Sequence, residues 1–75
     1  MGDICTRELE YNPNGRVYAG IFYPDTPDPF PTSTDSIPDI EDGYGFETGS
    51  YIYVVSEVKL YMYDKKTNQW VEQQS

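Results

Sequence analysis

The 75-residue chain contains no histidine and a single cysteine, Cys5. Without histidine it lacks the commonest general base and the commonest transition-metal ligand. One cysteine excludes an intrachain disulfide and leaves Cys5 a free thiol with no imidazole to activate it. Basic residues are also scarce, five against thirteen acids for a net charge of −8. From Tyr51 onward Glu57, Asp64 and Glu72 are balanced by Lys59, Lys65 and Lys66, so the excess lies before that point. Between Asp25 and Glu47 there are seven acids (Asp25, Asp28, Asp35, Asp39, Glu41, Asp42, Glu47) and no base. Such a segment repels phosphate backbones and argues against direct nucleic-acid binding. It keeps the protein soluble or favours a basic partner surface.

Long apolar runs are missing as well. The longest, Tyr51 to Val55, is far too short to span a bilayer. Met1-Gly2-Asp3-Ile4-Cys5-Thr6 has no basic region followed by an apolar run, which speaks against a signal peptide. Its loose match to a myristoylation pattern has no polybasic second anchor. The expectation is a soluble protein made in a cytoplasm, with no membrane partner. A chain of this size buries only about 60 % of its unfolded surface, so a partner chain is the remaining source of added stability.

No stretch carries a helical period, and what is present reads as a single, mainly β domain in three parts. Residues 7–23 form an N-terminal hairpin. Arg7 to Tyr11 and Arg16 to Tyr23 flank Asn12-Pro13-Asn14-Gly15, and Asn-Gly between extended runs is a strong turn signal. Val17, Ala19 and Ile21 share one face of the second strand, with Tyr18, Gly20 and Phe22 on the other. Gly20 marks a bulge or a close backbone approach.

Residues 24–48 form a long Pro-rich acidic arm. Pro24, Pro27, Pro29, Pro31 and Pro38 forbid a helix or a central strand through this region. Phe30, Ile37, Ile40, Tyr44 and Phe46 are spaced apolar anchors that a solvated linker would not need. Docking an extended, proline-restricted segment costs less entropy than docking a flexible one. Phe30, Ile37 and Ile40 are therefore expected in pockets of a neighbouring subunit, with Asp25, Asp28, Asp39 and Asp42 facing solvent or that neighbour's basic residues. The alternative is that the arm folds back over this chain's own sheet.

Residues 49–73 form a three-stranded antiparallel meander. Its runs are Ser50 to Ser56, Val58 to Tyr63 and Gln69 to Gln73. Tyr51, Tyr53 and Val55 alternate with Ile52 and Val54, so this strand is expected to be central with both faces covered. Val58, Leu60 and Met62 share a face opposite Lys59, Tyr61 and Tyr63. Asp64-Lys65-Lys66-Thr67-Asn68 suits a type I turn closed by a left-handed residue. Trp70 should return beside Tyr61 or Tyr63, making Trp70, Tyr61, Tyr63 and Tyr53 structural residues.

No catalytic, cofactor-binding or metal-ligating set emerges. A Gly-rich phosphate loop, zinc spacing and a Gly-x-Ser-x-Gly elbow are all missing from the sequence. Asp39-Ile40-Glu41-Asp42-Gly43 lacks the spacing and closing glutamate of a calcium loop. Eight tyrosines could form a sugar platform, but in a small sheet they more often supply core and cross-strand packing. The chain reads as a non-enzyme without cofactor.

Gly49-Ser50-Tyr51-Ile52-Tyr53-Val54-Val55, Lys59-Leu60-Tyr61-Met62-Tyr63-Asp64 and Thr67-Asn68-Gln69-Trp70, after a Pro/Thr-rich lead-in, resemble small virion structural proteins of tailed bacteriophages of Gram-positive hosts. Those are head-associated, head-fibre or tail-associated components. Where their pattern commonly has a glycine turn, this chain has Ser56-Glu57-Val58. The Tyr-Asp-x-x-Thr-Asn-x-Trp hairpin also occurs in kelch propeller blades, but the chain is shorter than two such repeats. The resemblance implies a virion protein that decorates or joins subunits of the capsid or tail, with major capsid or other virion proteins, or copies of itself, as partners. The other reading is a small acidic phage inhibitor that mimics nucleic acid to block a host nuclease or defence protein. A mimic should carry its acids on regular elements at phosphate-like spacing, whereas here they lie in a Pro-rich segment.

Overall fold

A computed structural model describes residues 4–35 and 37–73. The protein is mainly β, with six strands in one mixed sheet and no helix among the described residues. β1 (Cys5–Tyr11) and β2 (Arg16–Tyr23) pair antiparallel, with one irregularity between Thr6 and Glu8. Only Gly15 in their connection takes a positive φ, 82°, and Pro13 has the fixed φ that a type I turn needs before such a residue. The Asn12 amide donates to the Arg16 carbonyl at 2.8 Å and closes the turn.

β4 (Tyr51–Val54), β5 (Lys59–Asp64) and β6 (Gln69–Glu72) pair antiparallel in sequence order. β4 also lies parallel to β2, pairing Gly20 with Tyr51 through to Tyr23 with Val54. That contact gives the strand order β1-β2-β4-β5-β6. The parallel pair was not expected from the sequence. It gives the Pro-rich segment its structural role: parallel neighbours need a long crossover, which is usually a helix. Here prolines forbid the helix, and an irregular crossover packs over one face of the sheet instead.

The core lies between that face and the crossover. Val17, Ala19, Ile21, Ile52, Val54 and Phe46 are fully buried, and Tyr63 nearly so. Ile37 and Ile40 of the crossover join them at 5 % and 7 % exposure. Each such aliphatic side chain contributes about 1.5–3 kcal/mol of transfer free energy. The crossover is tied down by Thr34, whose buried hydroxyl donates to the Glu41 carbonyl at 2.6 Å and accepts the Tyr44 amide at 3.1 Å. β1 adds two ties: the Thr6 hydroxyl donates to the Pro38 carbonyl at 2.8 Å, and the Tyr11 hydroxyl accepts the Glu41 amide at 3.0 Å.

The short β3 (Gly45–Phe46) pairs parallel with β2 just ahead of β4. Phe46 lies opposite Val17 and Tyr51 opposite Gly20, so four residues, 47–50, span a distance that β2 covers with two. The ladder breaks there, inside the core, and Ser50 repairs it. Its fully buried hydroxyl accepts the Ala19 amide at 3.1 Å and donates to the Val17 carbonyl at 3.2 Å. Glu47 holds the outside of the excursion, 2.8 Å from the Lys65 ammonium. The hydrogen bond from Lys65 is the main reason its carboxyl titrates below the ordinary 4.5.

One detail departs from the sequence reading of the meander. Val58 is not on the β5 face with Leu60 and Met62. It sits in the β4–β5 turn at φ 53° and is 73 % exposed. Tyr61 and Tyr63 pair with Ile52 and Trp70 on the covered face, leaving Leu60 and Met62 on the other.

Ser50→Ala should destabilise the protein by about 1–3 kcal/mol, because the Ala19 amide is left buried and unpaired; urea unfolding should show a lower midpoint at unchanged slope. Val58→Gly should instead stabilise by about 1 kcal/mol, the left-handed penalty of a side chain outweighing the entropy of the glycine. A melting temperature at or below that of the wild type would show that the turn does not hold Val58 under strain.

Candidate functional site

The crossover covers one face of the sheet and leaves the other open. Parity along the strands assigns Tyr18 and Phe22 of β2, Tyr51 and Tyr53 of β4, Leu60 and Met62 of β5, and Val71 of β6 to the open face. The first six are half-buried against one another, and Val71 is 48 % exposed. A solvated sheet face normally alternates polar outward, whereas this one is apolar across four adjacent strands. Contiguous apolar patches of this kind mark interaction surfaces.

Gly20 shapes the centre of the face. A Cβ at that position would lie 2.2 Å from the Tyr51 ring, so the ring lies across bare backbone. The sequence expectation of a close approach at Gly20 finds its partner there. Aromatic cover of a strand glycine restores the packing that the missing side chain forfeits. Phe22 and Tyr53, paired across β2 and β4, stack with ring centroids 5.3 Å apart. The Arg7 guanidinium sits 5.1 Å above the Phe22 ring, at the irregularity in β1. Burial pushes the Tyr51 phenol above its ordinary 10.0, and the neighbouring Glu8 carboxylate adds to the shift.

The residues expected to bind a partner are not brought together. Ile37 and Ile40 are in this chain's own core, so neither is available to a neighbour's pocket. The reason is size: a sheet with one apolar face and no helix must recruit its crossover to cover it. Phe30 is half-buried with its edge on Tyr61, centroids 4.8 Å apart. Asp39 and Asp42 are exposed on the crossover. Trp70 packs on Tyr63 and Phe46, 5.0 Å from each, and its indole N–H donates to the Pro31 carbonyl at 2.8 Å. Tyr63 donates to the Asn68 side-chain oxygen at 3.1 Å. Tyr53 differs from the other residues expected to be structural, because it lies on the open face.

A shallow cleft of about 270 Å³ lies beside Trp70, lined by Phe30, Pro31, Thr32, Asn68, Gln69 and Trp70. No ionisable side chain lines it, so it holds no acid–base pair. Among the described residues no group of three or more Cys, Asp or Glu side chains is gathered to hold a metal ion. Cys5 is an exposed free thiol on β1. No helix among the described residues is long and apolar enough to cross a membrane.

Gly20→Ala should destabilise by about 1–3 kcal/mol, as the new methyl displaces the Tyr51 ring. In a Tyr51→Ala background the same change should be neutral or stabilising. Additive effects in thermal denaturation of the four proteins would show that the two residues are not coupled. No family model matches this chain, and neither a curated protein nor a solved structure matches it.

Proposed function

We propose that this protein is a non-enzymatic structural component of a tailed-phage virion, joining or decorating subunits of the capsid or tail through its open aromatic face. The observation that carries the reading is the uncovered apolar face of Tyr18, Phe22, Tyr51, Tyr53, Leu60, Met62 and Val71. A chain this small gains little by keeping such a surface wet, and tyrosine and methionine are residues that protein interfaces favour. The virion context comes from the sequence resemblance over the lead-in and the meander. The partner surface moves accordingly from the arm to the sheet, with Asp39 and Asp42 left as exposed charges on the far side.

The rival reading as a nucleic-acid mimic draws less support. Seven of its thirteen acids lie between Asp25 and Glu47, largely on an irregular crossover, and two of those are engaged internally: Asp35 accepts the Gly43 amide at 2.8 Å and Glu47 pairs with Lys65.

Mass spectrometry of purified particles should find the chain in stoichiometric amounts. Hydroxyl-radical footprinting should label Met62 and Tyr53 less in the particle than in the dissociated, folded chain. Absence from particles, together with capture of a host nuclease, would replace the structural reading with the inhibitor. Full labelling of both residues in the particle would move the interface elsewhere.

A further inference from the structure

We infer that the occupant of the open face is a second copy of this chain, the two sheets stacking face to face about a two-fold axis. The inference rests on the proposed role of that face as an interface. Three observations choose the occupant.

The first is the distribution of charge. Six of the seven acids between Asp25 and Glu47 lie on the irregular crossover, whose Ile37 and Ile40 pack on the opposite face of the sheet, and the seventh, Glu47, follows Phe46 of β3 and is paired with Lys65. Around the open face the charges nearly cancel. Glu8 and Glu10 of β1 pair with Gly20 and Tyr18, Asp64 follows Leu60 and Met62 on the same side of β5, Arg16 lies on that side of β2, and Arg7 lies over Phe22. A strongly basic partner would find no matching field on this face. A second copy would find apolar surface and a rim carrying both signs. An isologous interface needs such self-complementarity, since each Arg of one copy can meet a Glu of the other across the axis.

The second is repulsion, the obvious objection to pairing two chains of net charge −8. Stacked sheets lie about 10 Å apart. With a crossover outside each sheet, the two acidic layers would be separated by roughly 30 Å, several times the ~8 Å screening length at physiological salt. Face-to-face stacking is thus the arrangement in which the acids oppose each other least.

The third is size and architecture. The Cα extents are 33 × 25 × 20 Å, so a sheet face can offer on the order of the 800 Å² per partner that a standard interface buries. A β-sheet with two apolar faces needs a layer on each side. The crossover supplies one, and a second sheet supplies the other as in a β-sandwich.

Sedimentation equilibrium of the full chain under reducing conditions, from about 1 to 100 µM to span ordinary dimer affinities, tests this. The wild type should show twice the chain mass at the upper end. Met62→Glu and Tyr53→Lys should each remain folded by far-UV circular dichroism and raise the dissociation constant at least a hundredfold. Footprinting of the wild type should show Met62 and Tyr53 losing reactivity as concentration rises. A monomer at 100 µM overturns the inference, and so does a dimer that both substitutions leave intact. A monomeric wild type whose Met62 is nevertheless shielded in particles would remove the second copy and leave the virion reading standing. A dimer from a chain absent from particles would do the reverse.

Discussion

Parallel strands cannot be joined by a tight turn, and pairing β2 with β4 obliges this chain to travel the length of the sheet before it can pair again. Most features of the fold follow from that obligation. The connection must be long, and its prolines keep it from becoming the helix that usually makes such a crossing. An irregular crossover has backbone amides and carbonyls to satisfy, and Thr34, Thr6 and Tyr11 provide partners at fixed points. It also has side chains to spend, and Ile37 and Ile40 turn inward to fill the layer that a helix would occupy. The same pairing brings β3 and β4 onto one edge of β2 with two residues too many between them. Ser50 answers that mismatch by standing in for a missing rung of the ladder.

The two faces of the sheet have met different fates for the same reason. One crossover can cover one face. Val17, Ala19, Ile21, Ile52 and Val54 lie beneath it and are sealed. Tyr18, Phe22, Tyr51, Tyr53, Leu60 and Met62 lie on the far side and are shielded by one another and by Arg7 over Phe22, with no layer above them. The tilted stacking of Phe22 on Tyr53 and the draping of Tyr51 over Gly20 reduce the wet area without removing it. Large side chains with polar tips suit that half-covered state, because a tyrosine can keep its hydroxyl in water while its ring packs.

Much of this could be read from the residues, and the limits are equally physical. Period-two alternation locates the β-rich stretches, and parity alone puts Val17, Ala19 and Ile21 on one face of β2. Asn68 was expected to close a turn in the left-handed region and does so at φ 56°. Alternation does not say which strands become neighbours, so the parallel contact between β2 and β4 was invisible. Without it the apolar anchors Ile37 and Ile40 read as contacts for another chain, when they serve this chain's own core. Alternation alone places Val58 on one face with Leu60 and Met62, whereas the structure puts it in the preceding turn at φ 53°. The open face was present in the sequence as the residues Tyr51, Tyr53, Leu60 and Met62, but two apolar faces on β4 suggested that both were covered. Only the position of the crossover shows which one is not.

The uneven distribution of charge follows from the fold. A crossover that must be irregular, exposed on its outer side and free of helix tolerates acids well, since none of them needs a regular environment. Placing much of the negative charge there leaves the sheet's other face nearly neutral, with Arg7 and Arg16 set against Glu8, Glu10 and Asp64. Acids crowded onto the open face would have kept the monomer soluble at the cost of any apolar contact. Concentrated on the crossover, they leave the open face predominantly apolar. The proposed role in assembly draws on that asymmetry between one charged surface and one apolar surface. The parallel strand pair, by dictating which face the crossover covers, decides which surface is which.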